Sequence, residues 1–148
     1  MRLLLRADPS DRSEAALQRR ALRQAGATLH ADEVLVVDAG FGVAALLTGG
    51  VPRFVARVAR HLTARRNVLP AYTGRGRRPG YGEHVRPWPR LHKGRTIVAS
   101  PPDATTQWVA AGRTIQAQVW ENLVLSTAKP GTPALRCAVI HDPRYQEP

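Results

Sequence analysis

The chain has 148 residues, 43% of them hydrophobic, and a formal net charge of +11 at neutral pH. That length fits one ordinary domain, or one domain with part of another, and the apolar fraction is that of a globular core. No apolar run approaches the roughly 20 residues that span a bilayer, Leu3-Leu4-Leu5 is too short for a secretory leader, and the single cysteine, Cys137, excludes an intrachain disulfide or a cysteine-based zinc site.

A cytoplasmic protein without membrane attachment is therefore expected. Asp8-Pro9-Ser10-Asp11 reads as a turn and helix cap. Over residues 12–25, Ala15, Leu17, Ala21, Leu22 and Ala25 share a stripe at helical spacing, and Gly26 is the expected C-cap. The unbroken run Val34-Leu35-Val36-Val37 predicts a buried strand that ends at Asp38 and turns at once through Ala39-Gly40-Phe41-Gly42. A short helix over 41–48, stopped by Gly49-Gly50, and a second strand over 53–58 follow. This order predicts an α/β layer with parallel strands over residues 1–66, small for an independent α/β core. Residues 67–95 are expected to be a Gly-, Arg- and Pro-rich basic loop segment. Its Tyr72 to Gly82 stretch lacks both the preceding strand and the Gly-Lys-Ser/Thr ending of a P-loop. Residues 96–148 read as β-rich, with strands over 95–99, 107–110, 114–121 (continued by Leu123-Val124-Leu125) and 135–140, and turns at Gly112 and 129–133. The fold class is thus α/β, or α+β taken over the whole chain. Trp88, Trp108 and Trp120 are expected to pack in the β region, Trp120 most firmly, with Cys137 as a buried small hydrophobe.

The charge is concentrated. Residues 53–95 hold twelve basic side chains against the single acid Glu83, and the remainder of the chain sums to zero. Such a segment is the electrostatic footprint of a polyanion partner, and arginine, which supplies eleven of the twelve, grips phosphate bidentately. Arg65, Arg66, Arg75, Arg77, Arg78, Arg86, Arg90, Lys93 and Arg95 are the expected nucleic-acid contacts. A solvated basic loop would carry the same charge. Tyr72, Tyr81 and Trp88, interleaved with these arginines, suit either base stacking or packing onto their own domain.

Asp38 is the candidate for chemistry. Ligands gather at the carboxyl ends of strands in open α/β sheets, and hard cations want carboxylate oxygens. The same position suits a turn or capping aspartate. Asp38-Ala39-Gly40-Phe41, the short helix ending in glycine, and Pro52-Arg53-Phe54-Val55-Ala56-Arg57-Val58 together resemble the central part of an insertion-sequence transposase. The likeness is to the cut-and-paste DDE group whose ribonuclease H-like core carries a β-rich insertion. In that group the second catalytic Asp stands at a strand end in an Asp-Gly/Ala-Tyr/Phe context; here the aromatic comes one residue later. The Gly74-Arg75-Gly76-Arg77-Arg78-Pro79 loop and the Ile140-His141-Asp142-Pro143-Arg144-Tyr145 strand end are similar too, so the likeness covers most of residues 12–148.

The resemblance implies phosphodiester transfer at insertion-sequence ends, with three carboxylates holding two Mg2+ or Mn2+ ions. It implies DNA as partner, homo-oligomers in the intact family, and Asp38 as a catalytic, metal-holding residue. The group's first Asp belongs on an earlier strand and its Glu in a Tyr-x-x-Arg-x-x-x-Glu helix. Asp8, Asp11, Glu121 and Glu147 fit neither pattern. The expectation is a truncated transposase, catalytically incomplete alone. The alternatives are a small basic nucleic-acid-binding module without catalysis and a compact hydrolase or nucleotide binder built on Asp38 and Gly40-Phe41-Gly42. The last lacks the third glycine of the dinucleotide fingerprint. The five histidines form no close metal-ligand pair and are expected at the surface or in loops; His141 and Asp142, as strand neighbours, are expected to face opposite ways.

Overall fold

The computed structural model describes residues 13–145, so the expected turn at residues 8–11, and Glu147, lie outside the described part. The fold is mixed α/β and mostly sheet. No described helix is long and apolar enough to cross a membrane. The chain divides into two compact units after Ala59.

Unit 1 follows the expected order. Helix α1 (Glu14–Thr28) opens at Ser13, whose hydroxyl accepts the Ala16 amide at 3.3 Å, the usual way to satisfy an orphan amide at a helix start. The helix runs past Gly26 and ends at Leu29, so glycine is not its cap. Gly26 has a different job. A Cβ there would sit 2.9 Å from the Gly50 carbonyl oxygen, so glycine lets α1 approach the turn at the end of the second helix. Strand β1 (Leu35–Val37) pairs in parallel with β2 (Phe54–Ala56), and α2 (Val43–Thr48) lies between them in sequence.

Period-two alternation sorts the strand residues. Leu35, Val37, Phe54 and Ala56 pack on the buried cluster of Leu22, Leu46 and Val51. Val36 and Val55, register partners on the other face, are 73% and 59% exposed. The expected fully buried strand is therefore covered on one face only.

Unit 2 is built on β8 (Arg113–Leu125). Its first half is flanked by β7 (Ala104–Ala110) on one side and β9 (Leu135–His141) on the other. Its last three residues pair with β3 (Ala64–Arg66), which in turn pairs with β4 (His84–Val85). A separate hairpin joins β5 (Arg90–His92) to β6 (Arg95–Ile97). Residues 64–66 thus belong to the second sheet, and the expected loop over 67–95 contains two strands and the start of a third. The signals were local: Lys93-Gly94 and Ala111-Gly112 both take positive φ at each central residue, as two-residue hairpin turns demand.

Trp120 breaks the alternation of β8. Ile115 and Ala117 are buried on one face, and Trp120 falls on the other, where it forms the core with Ala64, Val85 and Leu123, backed by Leu135, Cys137 and Val139. Cys137 is half-buried, and burial pushes its thiol above the ordinary value. A register shift between Trp120 and Leu123, with Asn122 at φ 49°, then brings Leu123 back to the Trp120 cluster, and Val124 beside it is buried as well. Trp108, expected to pack in the β region, lies on β7 and is 41% exposed.

Arg66 and Asp103 close the edge of β8 where β3 gives way to β7. Their side chains pair through two hydrogen bonds of 2.6 and 2.7 Å, Arg66 also donates to the Glu121 carbonyl, and the Glu121 amide donates to Asp103 at 2.8 Å. The hydrogen bond from Arg66, with that from the Glu121 amide, holds the Asp103 carboxyl below the usual carboxylate range. A depressed folded-state value means the clasp stabilises fully above the unfolded value of about 3.9 and is lost as pH falls through the folded value. Thermal melts should therefore show wild type losing more stability than Asp103→Asn on acidification below about pH 4; parallel curves would remove Asp103 from the acid response.

Gly82 presents the tightest backbone approach. A Cβ there would lie 1.9 Å from the Arg66 carbonyl oxygen and 2.7 Å from that of Val68. Neither backbone oxygen can rotate away. Gly82→Ala should lower the stability of unit 2 by about 2–4 kcal/mol by forcing β3 outward, measured as a shift of the denaturant midpoint; an unchanged midpoint would show that the segment relaxes freely.

Candidate nucleic-acid interface and strand-end carboxylate

Asp38 stands where the sequence places it, directly after β1. Its carboxylate accepts the Ala39 amide at 2.7 Å, and its carbonyl accepts the Phe41 amide at 3.1 Å, so it forms the turn into α2. It is not the cap, which is Gly42. The parallel register sets Arg57, just past β2, beside it: the Arg57 amide donates to the Val37 carbonyl, and the guanidinium lies 3.9 Å from the Asp38 carboxylate, both side chains about four-fifths exposed.

A two-metal centre needs several carboxylates. Among the described residues no cluster of three His, Cys, Asp or Glu could hold a metal ion. Asp38 offers one oxygen-donor group facing a cation, and the described residues do not by themselves fit a two-metal centre.

The structure divides the nine expected nucleic-acid contacts. Arg65 and Arg66 are engaged inside unit 2. The Arg65 guanidinium donates to the Ser126 and Gly82 carbonyls at 2.8 and 2.9 Å and lies over the Tyr81 ring at 4.9 Å. Arg66 is held in the Asp103 clasp. Arg86 and Arg90 are half-buried, with each Nε enclosed and without an acceptor among the described residues. Arg75, Arg77, Arg78, Lys93 and Arg95 are exposed. Among the described residues, no ion pair engages Arg75, Arg77, Lys93 or Arg95. Slight burial, then the nearby Arg65 and Arg86, push the His84 imidazole below its ordinary value.

The two exposed groups differ in how they are held. Lys93 and Arg95 sit at and beside the tip of the β5–β6 hairpin. Arg75, Arg77 and Arg78 lie on a loop that Tyr72 braces: its hydroxyl donates to the Gly76 carbonyl at 2.9 Å, and the Arg78 guanidinium lies 5.5 Å from its ring centre. The sequence marked Tyr72 as an aromatic among arginines but not as this brace. Tyr72, Tyr81 and Trp88 each carry an arginine on one ring face, Trp88 with Arg60 at 5.3 Å. These contacts match the packing reading of the aromatics.

Trp88 also stacks on His141 at 6.1 Å. His141 ends β9, and Asp142 lies past the strand, so alternation does not separate them; both line a cavity of about 340 Å3 with Gln107, Thr114 and Gln116. Asp142 is no free base. The Arg144 amide and then the Arg113 guanidinium, 3.2 Å away, hold its carboxyl below the usual range. No protein-family model, curated protein or solved structure matches the chain.

Proposed function

We propose that the chain binds DNA through unit 2 and belongs to the DDE-transposase class, with unit 1 as part of a ribonuclease H-like core carrying Asp38. The observation that carries DNA binding is the exposure of Arg75, Arg77, Arg78, Lys93 and Arg95 on two loops of one unit, in a segment whose only acid is Glu83. Phosphate contacts from such cations dominate nucleic-acid affinity. The core assignment is supported by Asp38 at the carboxyl end of a parallel pair and by the bare valines beside it. Parallel sheets are almost always covered on both faces, so Val36 and Val55 mark where further layers of such a core would pack. In that class divalent ions supply the charge stabilisation for phosphodiester transfer; Asp38 would be one of the carboxylates holding such an ion, and the others would have to come from outside the described residues.

Arginine-specific labelling with phenylglyoxal tests the interface. Bound duplex DNA should protect Arg75, Arg77, Arg78 and Arg95, while Arg65 and Arg66 react slowly with or without DNA. Equal labelling of the loop arginines in the two conditions would refute the interface.

A module without catalysis is the second reading, favoured by the self-contained core of unit 2 around Trp120. The flanking DNA separates the two. A strand-borne Asp upstream, a Tyr-x-x-Arg-x-x-x-Glu helix downstream and bracketing inverted repeats support the transposase; unrelated neighbouring genes support the module.

A further inference from the structure

We infer that the loop over residues 74–79 is a minor-groove reader, with Arg75 and Arg77 entering the narrow groove of A·T-rich duplex DNA; this rests on the DNA-binding reading above. The loop is slim. Gly74 and Gly76 flank Arg75, with φ of 82° and 76°, conformations that side chains disfavour, and nothing lies within 4 Å of where a Cβ would stand on either. All of residues 71–78 are exposed. The glycines therefore serve the shape of the loop and its outer profile, not packing behind it. The minor groove, about 6 Å wide, excludes a helix of about 10–12 Å diameter but admits a glycine-flanked chain with guanidiniums at its apex.

The loop is also set in place before any ligand arrives. The Tyr72 hydroxyl holds the Gly76 carbonyl at 2.9 Å, and Arg78 folds back over the Tyr72 ring. Arg75 and Arg77 are left projecting with no ion pair among the described residues. Pro79 fixes the backbone just beyond them.

The chemistry of the loop selects the groove. Between Tyr72 and Gly82 there is no Asn, Gln, Asp or Glu, so amide or carboxylate reading of base edges is absent. What two arginines on a thin loop do sense is groove width and potential. Narrow A·T tracts concentrate negative potential and attract inserted arginine. Arginine is more weakly hydrated than lysine and so loses less on entering that groove.

The full chain is titrated by fluorescence anisotropy into equal-length labelled duplexes at one salt concentration, one an A-tract and one of G·C pairs only. The A-tract should bind at least about tenfold tighter. Netropsin, which fills the minor groove, should displace the chain from it. Arg75→Ala with Arg77→Ala should bring the two affinities together while leaving residual binding. Both substitutions lie on an exposed loop, and a wild-type melting curve confirms the fold of the variant. Equal affinities in wild type would overturn the inference in favour of phosphate contacts alone. A G·C preference would overturn it in favour of arginine reading guanine in the major groove. Absence of binding to either duplex would overturn the DNA-binding reading as well.

Discussion

Trp120→Ala should unfold unit 2 or leave it barely folded. Trp120 is fully buried, and it is the largest side chain of a cluster drawn from β3, β4, β8 and β9. Removing so large a buried ring costs about 3–5 kcal/mol, from lost transfer energy and the void left behind. A second loss adds to it. The Trp120 indole N–H donates to the Ser100 carbonyl at 3.1 Å, and Ser100 is joined to Arg86 by its amide, donating at 2.8 Å, and its hydroxyl, accepting at 3.0 Å. Deleting the indole leaves that carbonyl without its donor, worth about 1 kcal/mol more. Small domains hold a total margin of about 5–15 kcal/mol, so most of the stability should disappear. Trp120→Phe retains a ring and loses the hydrogen bond, and should lose about half as much or less. Denaturant unfolding followed by far-ultraviolet circular dichroism checks both; a wild-type midpoint in Trp120→Ala would show that the core is centred elsewhere.

What the sequence made legible was whatever depends on near neighbours. The α1 stripe, the apolar run before Asp38 and the glycine-terminated α2 were readable because each is a local pattern. Their parallel pairing followed from connection rules. The single covered face of β1 was not readable, because Val36 and Leu35 are chemically equivalent and only tertiary placement decides which is buried. Gly26 misled because glycine near a helix end signals a cap, whereas here it answers to Gly50 across the fold. The β5–β6 hairpin was hidden by its arginines: charge argued for a loop, while Lys93-Gly94 carried the turn signal.

The candidate interface was half legible. The sequence located the charge, but nothing local distinguishes Arg66 from Arg77. Arg66 is claimed by Asp103, 37 positions away, and Arg65 by carbonyls at Gly82 and Ser126. Those partners are set by the pairing of β3 with β8, which short-range pattern does not reach. Asp38 was placed correctly at its strand end, and its neighbour Arg57 followed from a parallel register that became visible only in three dimensions.

DNA binding by the purified chain should collapse with salt. Each phosphate neutralised releases condensed counterions, and the slope of log K against log salt is about −0.9 per contact. If Arg75, Arg77, Arg78, Lys93 and Arg95 each engage one phosphate-level contact, they contribute a slope of about −4.5, and affinity falls roughly 500-fold between 50 and 200 mM salt. Arg65 and Arg66, held by internal acceptors, should contribute nothing to this slope. The most direct test measures the slope for wild type and for a variant with those five cations replaced by alanine, on the same random-sequence duplex. The account predicts that the variant slope is shallower by about 4 to 5. Equal slopes for the two proteins would contradict it and place the DNA contacts elsewhere on the chain.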